Sequence, residues 1–282
     1  MGNIVWLASY PKSGNTWMRA LLHNLFTNAR KPLPLKEMGG GGITTAATTL
    51  KWFQPLDPRP SSQWSVADID RMRAPAQKVI ADAYQGSVFC KIHAPVMRIA
   101  GHPTVNLSVS TGAIYIVRNP LDVAISFADF EGIPIDKAIT LMATDDLVMP
   151  RTDDGINEVL GSWSQNVVSW TARPNPGLHV VRYEDLSDDP VATFRKVTAF
   201  LRLDVSKERL ERAVRHASFK ELRKQEDSEG FPERSAAQER FFRSGKAGGW
   251  RDVLSDNQVH RIVAVHRAQM ARFGYIPEGH EG

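Results

Sequence analysis

The chain has 282 residues, 42% of them hydrophobic and 23% charged, and carries a formal net charge of +4. That size and balance are ordinary for a globular protein of one large or two small domains. The modest basic excess suits anionic ligands in a cleft rather than nucleic acid, which calls for a concentrated basic stripe. No apolar run approaches the roughly 18 residues of a membrane span, and the single cysteine, Cys90, rules out an internal disulfide and fits a reducing cytoplasm.

The first expected element is a buried strand over Ile4–Ala8. No basic region precedes it and it runs straight into polar sequence, so it is not read as a cleaved leader. Met1-Gly2 is not read as a myristoylation site, because Trp6 stands where Ser or Thr is wanted. The strand leads into Ser9-Tyr10-Pro11-Lys12-Ser13-Gly14-Asn15-Thr16-Trp17, a tight turn opening a helix from Asn15 to about Asn28. Strand, turn and helix N-terminus in that order aim backbone N–H groups and a helix dipole at an anion. Lys12 adds a point charge, and Ser13 and Thr16 add hydroxyls. The turn does the work of a phosphate loop. It lacks the first glycine and the Gly-Lys-Ser/Thr ending of the nucleoside-triphosphatase version, and with them the usual magnesium-holding hydroxyl.

Residues 31–60, which include the run Gly39-Gly40-Gly41-Gly42, form an expected loop, as do 149–155 and 225–248. Short apolar, β-branched runs at Val88–Ile92, Gly112–Val117 and Leu178–Arg182 read as further strands of a parallel sheet. Helices are expected from Asn119 to about Phe130, with Pro120 near the first position, and over 156–172, 190–201, 206–216 and 256–273. The basic cluster from Arg209 to Lys224 interleaves Glu211 and Glu221 and reads as a solvated helix face. Strands alternating with helices give the α/β class: one doubly wound domain over 1–282, with a central parallel sheet flanked by helices and ligands at the carboxyl ends of the strands. Lys12, His93 and Arg118 each fall at or just after such an end. Arg118 opens a second strand-loop-helix anion site, with Ser126 about two turns into the helix.

The segment Tyr10–Trp17 resembles the 5′-phosphosulfate-binding loop of the cytosolic-type sulfotransferases. That family moves a sulfuryl group from 3′-phosphoadenosine 5′-phosphosulfate (PAPS) to an acceptor hydroxyl or amine. Cys90–Pro95, Tyr115–Ser126 and Arg243–Arg251 resemble later segments of the family, in its order. The resemblance implies a P-loop-like nucleotide-binding architecture with His93 as general base, Lys12 as the cation on the departing phosphate, and Lys91 near the sulfuryl oxygens. It implies that Ser13, Gly14, Asn15 and Thr16 hold the 5′ end of the donor. Arg118 and Ser126 would take the 3′-phosphate, with Arg243, Ser244 and Gly245 closing over it. Trp17, Tyr183 and Phe219 would hold the adenine, with a polar contact from Ser218.

Ser244, Gly249 and Arg251 depart from the family's Lys, Asp and Lys, so the Ser244 contact is expected to be weaker. The family's dimer segment is not recognisable between 251 and 273, which leaves the oligomeric state open. Catalysis without a metal is expected, because sulfuryl carries less charge than phosphoryl. Trp52, Phe53, Trp64, Met97 and Phe130 are expected around the acceptor and favour a phenol or alcohol with apolar bulk, while a wide entrance at the run Gly39–Gly42 leaves a peptide or large natural-product scaffold open. The alternatives are an ATP-dependent small-molecule kinase sharing the sheet, and a catalytically silent nucleotide-binding protein.

Overall fold

Alternate side chains of the first strand enter two different cores. Ile4, Trp6 and Ala8 pack on one side of the sheet and Val5 and Leu7 on the other, the period of a strand covered on both faces. The computed structural model describes residues 3–39 and 43–280, so Met1-Gly2 and most of the glycine run lie outside the described residues.

In chain order the elements are β1 (Ile4–Ser9), α1 (Asn15–Thr27), β2 (Thr44–Ala46), α2 (Val66–Asp82) and β3 (Val88–Ile92). A short hairpin, β4 (Arg98–Ile99) and β5 (His102–Pro103), precedes β6 (Ser110–Val117), α3 (Pro120–Glu131) and α4 (Ile135–Met142). A second hairpin, β7 (Val148–Met149) and β8 (Glu158–Val159), leads to α5 (Trp163–Thr171), β9 (Leu178–Arg182) and α6 (Tyr183–Asp188). The chain closes with α7 (Pro190–Phe200), α8 (Lys207–His216), α9 (Phe219–Glu229) and α10 (Asp256–Phe273).

The sheet has five strands in the order β2-β3-β1-β6-β9, each paired parallel to its neighbours. The expected parallel α/β sheet is therefore present, with β2 as an edge strand inside the segment read as loop 31–60. Helices cover both faces, so ligand contacts are left to the carboxyl ends of the strands. Among the described residues no helix is long and apolar enough to cross a membrane.

Several expectations need correction. The helix expected over 156–172 begins only at Trp163. Gly161 takes a left-handed φ of 63°, and Ser162 caps the helix by accepting from the Gln165 N–H. The helix α2, with Pro75 in its interior, is absent from the expected elements. Its start was nonetheless legible as a capping box, in which Ser65 and Asp68 satisfy each other's backbone N–H. Helices α4, α6 and α9 were also not anticipated, and the loop expected from Gln225 starts only after Glu229. The basic cluster 209–224 is split between two helices by Ser218, which caps α9. Its first member is no solvated charge: the Arg209 guanidinium donates to the Leu25 carbonyl near the end of α1, at 2.8 Å.

Candidate active site

The turn between β1 and α1 leaves a helix N-terminus open. Gly14 is the N-cap with φ 105°, no side chain caps the helix, and its first turn carries no acidic residue. The first N–H groups of α1 thus lack the partner a Ser or Asp cap would supply. Gly14 is required sterically as well, because a Cβ there would lie 2.7 Å from the Tyr183 ring. Lys12 itself is left-handed, with φ 64°, an uncommon conformation for a residue with a side chain. The Asn15 amide donates to the Leu7 carbonyl at 2.8 Å and fastens the turn to β1.

Polar atoms in this turn are buried without partners: Lys12 Nζ, Ser13 Oγ and, one turn on, Trp17 Nε1. The Lys12 ammonium lies between two aromatic faces, 4.2 Å from the Phe130 centroid and 4.0 Å from that of Phe241. Burial, followed by repulsion from Lys91, lowers its pKa to about 7. A buried ammonium without a counter-ion is unfavourable, and an anion bound beside it removes the penalty.

The second strand-helix junction is built differently. The Asn119 side chain caps α3 by accepting from the Leu121 N–H at 3.0 Å, and Pro120 follows. Asp122 in the first turn accepts from the Gly248 and Trp250 N–H groups at 2.7 and 3.0 Å, tying the C-terminal segment to the helix. Arg118 points back to the first junction: its Nη1 donates to the Lys12 carbonyl at 3.0 Å and its guanidinium lies 4.2 Å from the Tyr183 ring centre. Its Nε is buried without a partner. The Trp17 and Tyr183 rings meet edge to face at 5.7 Å.

These groups border one cavity of about 1150 Å³, lined also by Ser126, Phe219, Arg243, Ser244, Gly245 and Lys246. Gly245 is left-handed, with φ 65°, and a Cβ there would strike the Phe219 ring at 2.4 Å. Ser13 and Ser218 are not among the lining residues, and the Ser218 hydroxyl is engaged as the cap of α9.

His93 also lines the cavity. Its Nδ1 is 2.7 Å from the Ser9 carbonyl, which can only accept, so Nδ1 carries the proton and Nε2 keeps the lone pair. Burial lowers the His93 pKa to about 4, which keeps the ring neutral at physiological pH. Asn166 donates to the His93 carbonyl at 2.6 Å and accepts from the Tyr115 hydroxyl at 2.8 Å, which fixes the backbone that carries the imidazole. Lys91, two residues before, lies 3.5 Å from the Glu233 carboxylate. Arg19 grips the same carboxylate with two contacts of 2.7 Å.

The sequence reading missed Arg19, Glu233 and Phe241. Arg19 was within reach, being one helical turn from Thr16 and donating to its hydroxyl at 3.1 Å; Glu233, 214 positions from Arg19, gave no local signal. The expected acceptor residues also need correction. Phe130 lines the cavity, but Trp52, Phe53 and Trp64 are buried in the core, and Met97 does not line the cavity. The cavity is lined instead by Thr45, Thr48, Thr49, Glu131 and Glu158 together with Ile125, Phe127, Met149, Ile156 and Leu160, a mixed polar and apolar set. Among the described residues no three His, Cys, Asp or Glu side chains group as metal ligands.

Comparisons with known proteins agree with this architecture. The family model described as "Sulfotransferase domain" matches residues 3–274. Among curated relatives, a rabbit amine sulfotransferase is 24% identical over 95% of this chain and 81% of its own length. Rat sulfotransferase 1A1 is 26% identical over 94% and 83%. Among solved structures, mouse sulfotransferase SULT7A1 complexed with PAP aligns with a TM-score of 0.59 at 21% identity, covering 95% of this chain and 84% of that one. Retinol dehydratase in complex with androsterone and PAP aligns at 0.62 and 20% identity, covering 95% and 80%. These structures support the fold, and the kinase alternative finds no support among the matches.

Proposed function

The chain belongs to the sulfotransferase domain family, and we propose that it moves a sulfuryl group from PAPS to a hydroxyl of a small organic acceptor. The observation that carries this reading is the buried, unpartnered Lys12 ammonium beside the uncapped N-terminus of α1, in one cavity with Arg118 and His93. The donor supplies an activated sulfuryl group. A sulfur–oxygen bond to the acceptor forms as the one to the 5′-phosphate breaks, and the acceptor proton goes to Nε2 of His93. Asn166 and the Ser9 carbonyl hold that imidazole in its tautomer and position. Lys12 meets the charge that grows on the departing phosphate, an interaction stronger in the transition state than before it. Arg118, Ser126 and the Arg243–Gly245 segment hold the 3′-phosphate, with the guanidinium of Arg118 suited to a dianion. Trp17 and Tyr183 hold the adenine. No step in this scheme requires a metal ion, so treatment with a chelator leaves turnover unchanged.

One relative is named for an amine and one structural neighbour holds androsterone, small molecules that support a compact acceptor here. The mixed lining, with the threonines, Glu131 and Glu158 beside Ile125, Phe127, Phe130 and Leu160, supports an acceptor that combines polar groups with apolar bulk. Purified protein, radiolabelled PAPS and a panel of hydroxylated acceptors test the reading, with His93→Ala as control. Transfer by the wild type and its loss in the variant are expected. Undiminished transfer in the variant removes His93 as base, and binding of the desulfated nucleotide with no transfer to any acceptor returns the silent binding protein.

A further inference from the structure

A carboxylate stands among the cations that this site needs for an anionic donor. Glu233 lies on the segment between α9 and the residues Arg243–Gly245, and it lines the cavity. Burial alone would raise its pKa, but Lys91 and Arg19 hold it well below the ordinary carboxylate range, so it is charged under all working conditions.

Its two contacts are unequal. The Arg19 pair is bidentate, both contacts at 2.7 Å, with an Arg19 side chain only 4% exposed. The Lys91 contact is single, 3.5 Å long, and made by a side chain 26% exposed. A short bidentate pair is strong and fixed, whereas a single, longer and partly exposed lysine contact is the more easily exchanged of the two. An entering phosphosulfate also meets the like charge of Glu233. Such an anion can draw Lys91 away from Glu233; it cannot draw Glu233 away from Arg19.

Resting on the sulfotransferase reading, we propose that Glu233 is a positioning residue that competes with the donor's phosphosulfate oxygens for the Lys91 ammonium. Arg19 is its fixed anchor. Lys91 leaves Glu233 when the donor binds and returns to it when the nucleotide departs, so the carboxylate limits nucleotide affinity and promotes release.

Calorimetric titration with the desulfated nucleotide PAP tests this on folded wild type, Glu233→Gln and Glu233→Asp, alongside melting temperatures and donor KM and kcat. Glu233→Gln is expected to bind PAP at least about fivefold more tightly and to lower the donor KM without raising kcat. It is also expected to melt lower, since the buried Arg19 loses its charged partner. Affinity and stability then move in opposite directions, whereas a merely structural latch would lose both. Glu233→Asp keeps the charge on a side chain one methylene shorter, which lengthens the Lys91 contact, and is expected to show part of the gain. In the Lys91→Gln background, Glu233→Gln is expected to gain clearly less PAP affinity than it does alone, the difference being the part that acts through Lys91. Equal or weaker PAP binding by Glu233→Gln, or by Glu233→Asp if the first variant does not fold, overturns the proposal. Failure of the wild type to bind PAP overturns the donor assignment instead.

Discussion

Two helix N-termini face the same cavity, and they are finished in opposite ways. The α1 terminus has a glycine cap, no side-chain acceptor and no acidic residue. The α3 terminus is closed by Asn119, Pro120 and Asp122, with Asp122 further occupied by two backbone N–H groups from the C-terminal segment. A capped terminus has spent its donors, and an acidic first turn opposes an anion. The first junction can therefore bind a phosphate-like group through its backbone. Under the proposed function, the second binds instead through the side chains of Arg118 and its neighbours.

This contrast can be broken most directly at Lys12. Lys12→Met is expected to reduce turnover about 10²–10³-fold while the fold is retained, with melting in the absence of nucleotide unchanged or raised because an unpaired buried charge is gone. Wild-type turnover in that variant would show that the open junction is not where the reaction's charge develops.

The pH dependence sharpens the same point. With Lys12 lowered to about 7 and His93 to about 4, kcat/KM is expected to be greatest between those values and to fall about tenfold per unit above pH 7. Between pH 7 and the ordinary lysine pKa, the unfolded chain holds a proton on Lys12 that the folded chain has lost. Stability from this group therefore rises with pH across that window, and the penalty of the buried charge is complete below it. Stabilisation by PAP, read as a shift in melting temperature, is accordingly expected to shrink as pH rises through 7.

At the capped junction the side chain should carry the effect. Arg118→Lys keeps the charge but loses the fork, and is expected to weaken PAP about tenfold with a smaller loss for a nucleotide lacking the 3′-phosphate. An equal loss for both nucleotides would mean that Arg118 matters mainly through its bond to the Lys12 carbonyl. The smallest effect is expected from Asn119→Ala: about 1 kcal/mol of stability, measured by denaturant unfolding, with PAP affinity changed less than about twofold.

Much of the donor end was legible because its signals are short. The strand, turn and helix around Lys12 occupy consecutive positions, and Gly14 and Pro120 have conformational meanings that survive without tertiary context. The acceptor end was not. Trp52, Phe53 and Trp64 resembled pocket residues by type, yet an aromatic side chain in a loop is as easily claimed by the core. The helix expected from Ile156 failed for a local reason, since Gly161 and Ser162 form a stop and a start that its apolar pattern concealed.

By itself the sequence determined the alternating buried strands, the turn that opens α1 and the cap that closes α3, all interactions within a few positions. Tertiary structure alone decided that Arg19 and Glu233, 214 positions apart, form a bidentate pair. It also decided that Ser9 and His93, 84 apart, fix the imidazole tautomer. The lowered pKa values of Lys12 and His93 belong with these: burial is produced by elements distant along the chain, and no residue carries it alone.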